Sequence, residues 1–124
     1  MTEPTSATPV FDSGETATIA SGMKIHAKLG RVVINEGHIG LLRENGDLID
    51  SAPLSKVVLK KGLTYIMVPT LHVLMNGTKY LVNLSYEARI HAGVDDATAK
   101  DEQRRENAAF AQMVRQLGGQ AKGL

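Results

Sequence analysis

From Met23 to Ser85 short apolar runs alternate with turn residues, the pattern of an all-β domain. Seven strands are predicted, over residues 23–34, 38–43, 47–52, 55–60, 63–68, 71–76 and 79–85. The turns between them are legible. Asn35-Glu36-Gly37 suits a three-residue hairpin with Gly37 in the left-handed region. Asn45-Gly46 and Asn76-Gly77 each separate two apolar runs. Asn-Gly is the strongest short hairpin signal, because both central residues of the turn need positive φ. Pro53 closes the third strand, and Pro69-Thr70 separates the fifth from the sixth, since proline cannot donate to an interior ladder. Alternation is partial: Leu71, Val73 and Met75 face one way, His72 and Leu74 the other. Runs apolar on both sides point to strands covered on both faces, as in a small barrel or sandwich.

The period changes after Asp95. No Gly or Pro interrupts the chain until Gly118-Gly119, acidic residues gather at the start, and Arg115 lies near the end. This predicts a helix within 94–118 that stops at Gly118. Phe110, Met113, Val114 and Leu117 form one narrow apolar stripe. Residues 100–106 are wholly polar. The second half of the helix is therefore expected to pack on the domain. The first half is expected to be solvated or to reach a second subunit, with Arg104 and Arg105 as candidate partner contacts. Residues 1–22 are rich in Thr, Ser, Ala and Pro. They read as a flexible arm, because they offer too little apolar bulk to offset their ordering entropy. Val10 and Phe11 are the arm's candidate anchors for docking on a neighbour. The expected organisation is this arm, a β-barrel or sandwich over 23–93, the helix of the same domain over 94–118, and a tail over 119–124.

Several stretches are similar to one known family. Gly30-Arg31-Val32-Val33-Ile34-Asn35 followed by His38-Ile39-Gly40-Leu41 resembles a hairpin of the GRAM-like and bacterial branch of the pleckstrin-homology (PH) superfold. Ala52-Pro53-Leu54-Ser55-Lys56-Val57 is similar to its Ile-Pro-Leu step, and Asn76 to Val82 to its late hairpin. The resemblance covers residues 23–118. It implies a mainly β fold: a seven-stranded, antiparallel, partly open barrel capped by one C-terminal α-helix, with Phe110 filling the place of a frequent Trp. It also implies a binding module rather than an enzyme. Some members bind phosphoinositides through Lys and Arg of the first hairpin. Here the turn at 35–37 carries Glu36 and no Lys or Arg.

Composition narrows the chemistry. The 124 residues contain no cysteine and no tryptophan. That excludes a disulfide scaffold, thiol catalysis and Cys-based metal centres. No apolar run approaches the roughly 20 residues that span a bilayer, and Met1-Thr2-Glu3-Pro4 does not start a signal peptide, so the default location is the cytoplasm. The formal charge is +1. It is −3 over residues 1–22, +4 over 23–93 and zero over 94–124. The near-neutral total, with only 4% aromatic residues, argues against nucleic acid as the partner.

Lys56, Lys60 and Lys61 are the densest basic cluster. On a strand, Lys56, Val58 and Lys60 would share one face, with the two ammonium groups roughly 13 Å apart. That spacing could meet two phosphates of an anionic membrane. The same lysines would equally protect a sheet edge from aggregation. His26, His38, His72 and His91 show no metal-ligand spacing, and none of the serines sits in a nucleophile elbow. No cofactor or metal is implied. The functional expectation is a non-catalytic interaction module binding a protein partner or copies of itself. Peripheral attachment to anionic lipid, or carriage of a small ligand inside the barrel, is the alternative.

Overall fold

Residues 9–63, 65 and 67–124 are described by the computed structural model. Nine strands form: β1 (Phe11–Asp12), β2 (Ala17–Ser21), β3 (Lys24–Asn35), β4 (His38–Leu42), β5 (Leu48–Pro53), β6 (Val58–Lys61), β7 (Leu71–Met75), β8 (Thr78–Asn83) and β9 (Gln120–Lys122). A 3-10 turn covers Leu54–Lys56, and two helices follow β8: α1 (Tyr86–His91) and α2 (Asp96–Gln116). The strands make one curled sheet in the order β5-β4-β3-β2-β8-β7-β6-β9, with β1 beside β3. Every pairing is antiparallel except β6 with β9. The result is a half-barrel, mainly β, closed by the C-terminal helix. Ile19, Ile34, Ile39, Leu41, Leu59 and Leu71 are among the fully buried side chains of its concave face, and Phe110, Ala111 and Val114 of α2 complete the core.

β3 lets the sheet curl. Its first half pairs with β2, its second half with β4 and β1. At the changeover sits Gly30, where a Cβ would lie 2.4 Å from the Leu42 carbonyl oxygen and 2.6 Å from the Ala27 Cβ. Only glycine admits so close an approach. Asn76 (φ 52°) and Gly77 (φ 76°) make the expected two-residue turn between β7 and β8. The β3–β4 turn is also two residues long, since Asn35 pairs with His38, and Glu36 (φ 51°) joins Gly37 (φ 77°) in the left-handed region. The β4–β5 loop is wider. Its Asn45 side chain accepts from the Asp47 N–H at 2.9 Å instead of adopting positive φ.

Among the described residues there are nine strands, not seven, and the architecture corrects the sequence reading in four further places. The arm expected over 1–22 is already sheet from Phe11 onward, while residues 1–8 lie outside the described residues. β2 escapes notice because its inward residues are only Ala17 and Ile19, yet both are fully buried. Its backbone pairs on both sides, with β3 and β8. Of the strand expected over 63–68, the described residues 63, 65, 67 and 68 form turns and a bend between Gly62 and Pro69, and 64 and 66 lie outside the described residues. The tail over 119–124 contains β9, laid parallel to β6.

The fourth correction concerns α2. Its polar first half packs on the domain, with Ala99, Gln103 and Asn107 all fully buried. Ala99, Gln103, Asn107, Phe110, Ala111 and Val114 make one continuous helical face. Hydropathy hides it, because two of its positions are amides. Gln103 accepts from the Ser85 N–H at 2.8 Å and donates to Asn107 at 2.7 Å. Asn107 donates to the Pro69 carbonyl at 3.0 Å and the Tyr65 hydroxyl at 3.1 Å. Every buried amide is thereby satisfied, as burial requires. Leu117 is not part of the stripe: it caps the helix and is 42% exposed. The Gly118 N–H bonds to the Arg115 carbonyl and the Gly119 N–H to the Val114 carbonyl. This double C-cap, with Gly118 at φ 103°, reverses the chain toward β6.

Candidate interaction surface

In-register neighbours in a sheet share a face. The pairings therefore place six residues of six strands in one row across the outer face: Lys122, Lys60, His72, Leu81, Ala20 and Ile25. A second row runs Gln120, Val58, Leu74 and Lys79. Strands β2, β6, β7, β8 and β9 contain no Asp or Glu at all. The strands thus give the outer face a mixture of apolar side chains and cations, and Glu87 of α1 lines a groove at its Ile25 end.

Among the described residues, four cations elsewhere in the molecule are ion-paired. Arg31 is paired with Asp12 and Glu15, Arg89 with Glu102 and Glu106, Lys100 with Asp96, and Arg104 with Asp101. Lys56, Lys60, Lys79 and Lys122 have no ion-pair partner among the described residues. His72, in the row beside Lys60, has its pKa lowered by burial first, then by Lys79 and Lys60. Two shallow grooves meet at Lys79. One, about 340 Å³, is lined by Lys56, Val58, Leu74 and the β7–β8 turn. The other, about 420 Å³, is lined by His72, Leu81, Gly22 and Leu63. Met23, beside Gly22, and Leu63 are 104% and 97% exposed.

The residues singled out from the sequence fall in different places. Lys60 points outward from β6, as alternation requires. Lys56 is on the 3-10 turn rather than a strand, so the expected strand spacing to Lys60 does not apply, but it reaches the same face through the Val58–Leu74 groove. Lys61 ends β6, with its Nζ 5.2 Å from the Tyr65 ring centroid. Phe11 is turned onto its own core: its ring stands 4.8 Å from that of Phe110, while Val10 stays exposed. Arg104 bonds Asp101 along α2, and Arg105 is exposed. Lys79 and Lys122 were missed. Lys79 lies 19 residues from Lys60, and Lys122 is in a segment whose strand has only three residues. The absence of acid from residues 51–86 is the sequence signal that could have found this face.

A nucleophile–base pair also exists that the sequence did not reveal, because its hairpin was not recognised. Ser21 Oγ lies 2.6 Å from His26 Nε2. His26 Nδ1 is buried with no hydrogen-bond partner among the described residues. A proton on Nδ1 would be an unsatisfied buried donor, which costs more than a bare lone pair. Nε2 therefore carries the hydrogen and donates it to Ser21. In that direction the histidine does not activate the hydroxyl as a base would. Burial, then Lys24 and Arg43, lower the His26 pKa.

Comparison with protein-family models, curated proteins and solved structures gave no match to this chain. Among the described residues no helix is long and apolar enough to cross a membrane.

Proposed function

We propose that the chain is a non-catalytic interaction module of the PH/GRAM-like kind, and that the outer face of its sheet docks an acidic protein partner. A curled antiparallel sheet closed by a terminal helix is the arrangement the sequence resemblance implies. The observation that carries the reading is the outer face of acid-free strands, where Lys56, Lys60, Lys79 and Lys122 surround Val58, Leu74 and Leu81 without an ion-pair partner among the described residues. Unopposed cations around an apolar centre favour a complementary negative surface and repel a positive one. Self-association through this face runs against the same charges, because a two-fold contact would set each lysine patch against its copy. The carrier alternative has little support, since Ile34, Ile39, Leu41 and Phe110 fill the interior.

A second reading, attachment to an anionic lipid surface, is favoured by Met23 and Leu63. Both protrude fully, and Met23 tips the β2–β3 hairpin that also carries Lys24 and Lys28. That hairpin, not the one turning at residues 35–37, is the first of the curled sheet.

Amine-reactive cross-linking in a lysate of the source cells separates the two. Docking of an acidic partner concentrates cross-links to lysines within Asp/Glu-rich peptides on Lys56, Lys60, Lys79 and Lys122, and Lys60→Glu/Lys79→Glu abolishes those that Lys56 and Lys122 could still form. Equal labelling of Lys24 and Lys100, or an unaffected charge-reversed variant, overturns the reading. Flotation with phosphatidylserine vesicles that is lost in Met23→Ser/Leu63→Ser supports the lipid reading instead.

A further inference from the structure

Lys122, Lys60 and His72 stand side by side on three neighbouring strands, with Lys60 in register with both others. Adjacent strands are about 4.8 Å apart, so the whole row spans about 10 Å at the backbone. Like charges directly opposite each other destabilise a sheet. Here the Lys60–Lys122 pair is retained with no carboxylate on β6, β7 or β9 to relieve it. His72 is held in place. It packs on Gly62, where a Cβ would come 2.9 Å from the Thr70 carbonyl oxygen and 3.3 Å from His72 Nε2. The charged groups facing it are Lys60 on β6 and Lys79 on β8, with Lys122 one strand beyond; none is acidic.

The third member is brought by the C-terminal segment, and its position is built. Gly119 leaves α2 where a Cβ would lie 2.5 Å from Val114 Cγ1 and 2.9 Å from the Leu54 carbonyl oxygen. The Gln120 N–H bonds to the Val57 carbonyl. The Arg115 guanidinium donates to the carbonyls of Ala121 at 3.0 Å and Leu124 at 2.6 Å, clamping the residues on either side of Lys122.

We infer that Lys122, Lys60 and His72 form a binding site for a phosphoryl-type dianion. This deepens the reading of the outer face as a docking surface by naming the ligand chemistry at one end of it. Three donors in a short row match a group that carries two charges and three acceptor oxygens better than a single carboxylate. Lysine ammonium groups supply charge without demanding one geometry. His72 adds a third positive charge to the site only when protonated. Its cationic neighbours oppose protonation in the free protein, and a bound dianion reverses that balance. Phosphate monoesters take their second charge at a pKa of roughly 6, in the range where histidine titrates. The dianion and the protonated His72 therefore coexist best at mildly acid pH. The phosphoryl group can come free in solution or on a modified partner protein; the recognising chemistry is the same.

The test follows the His72 ring by NMR through a pH titration in pyrophosphate and in chloride at equal ionic strength, with calorimetry of pyrophosphate binding. Pyrophosphate is expected to raise the His72 pKa. Lys60→Gln and Lys122→Gln are each expected to weaken binding about tenfold, the loss of one charge-assisted contact. Lys24→Gln, away from the row, should leave it unchanged. Gly119→Ala should reproduce Lys122→Gln by displacing β9; if it does not fold, the exposed Lys122→Gln decides alone. A phosphoserine peptide that competes where its unphosphorylated form does not identifies a protein-borne source, and pyrophosphate binding without such competition identifies a free one. Identical His72 titrations in the two salts, or equal weakening by Lys24→Gln, overturn the site. Cross-linking of an acidic partner that survives Lys122→Gln while pyrophosphate fails to bind removes this site and leaves the docking surface standing.

Discussion

Asp50 ties the β5 edge of the curled sheet across to β8 and the β7–β8 turn. It accepts from the Tyr80 hydroxyl and from Asn76 Nδ2, each at 2.7 Å, so one carboxylate on β5 holds both β8 and the β7–β8 turn. The Tyr80 phenol is pushed up to about 12, by burial first and then by Asp50. It remains a neutral donor across the physiological range. The edge of the His26 ring packs against it at 5.8 Å. Tyr80→Phe keeps the packing and removes only the donor. The expected cost is about 1 kcal/mol, the net value of one such bond, or about 4 °C in a thermal melt. An unchanged melting temperature would mean that Asp50 is satisfied without Tyr80. Asn76 also donates to the Ser51 carbonyl at 2.8 Å, so the turn should stay docked in this variant.

At the scale of elements, α2 depends on its amides as much as on its apolar stripe. Asn107→Leu would raise the hydropathy of its buried face, yet it should destabilise. The substitution strands the Pro69 carbonyl and the Gln103 amide without their partner, at about 2 kcal/mol for the pair. A urea midpoint equal to or above that of the parent would show that the Ser85–Gln103–Asn107 chain does not hold the helix. The same residues explain what the sequence concealed. Strands β3 to β8 were legible because their apolar runs end at Asn-Gly, Glu-Gly or Pro, where backbone sterics speak locally. The C-terminal stop at Gly118 was legible for the same reason. The first half of α2 was not, since buried Gln103 and Asn107 look solvated until their long-range partners are known. β2 and β9 were not legible either, because they are held by neighbours rather than by their own hydrophobicity. α1, six residues between two turns, had too little length to show a period. Half of the candidate surface was visible for the same reason: Lys56 and Lys60 are close in sequence, whereas Lys79 and Lys122 join them only through strand order.

For the molecule as a whole, the arrangement of charge links stability to pH. His26 near the β2–β3 turn and His72 on the outer face are each driven toward the neutral form, by burial first and then by cations: Lys24 and Arg43 for His26, Lys79 and Lys60 for His72. Both therefore titrate below their ordinary value of 6.5 in the folded chain. As pH falls through 6.5, the unfolded chain takes up protons that the folded chain refuses. Linkage then requires stability to fall, until the folded histidines protonate in their turn. The loss begins close to neutrality, well above the carboxylate range. Asp95 at the N-cap of α2, Asp96 in its first turn, and Glu44 in the β4–β5 loop are lowered by their hydrogen bonds and add a second loss only at more acid pH. Urea midpoints are thus expected to drop between pH 7.5 and 5.5. His72→Gln should remove part of that drop without lowering the midpoint at pH 7.5, because the His72 ring makes no hydrogen bond to the described residues. A flat profile for the parent would mean that both histidines protonate freely. Pyrophosphate should oppose the drop in the parent and have no such effect in His72→Gln, since a dianion beside Lys60 and Lys122 makes the His72 charge favourable.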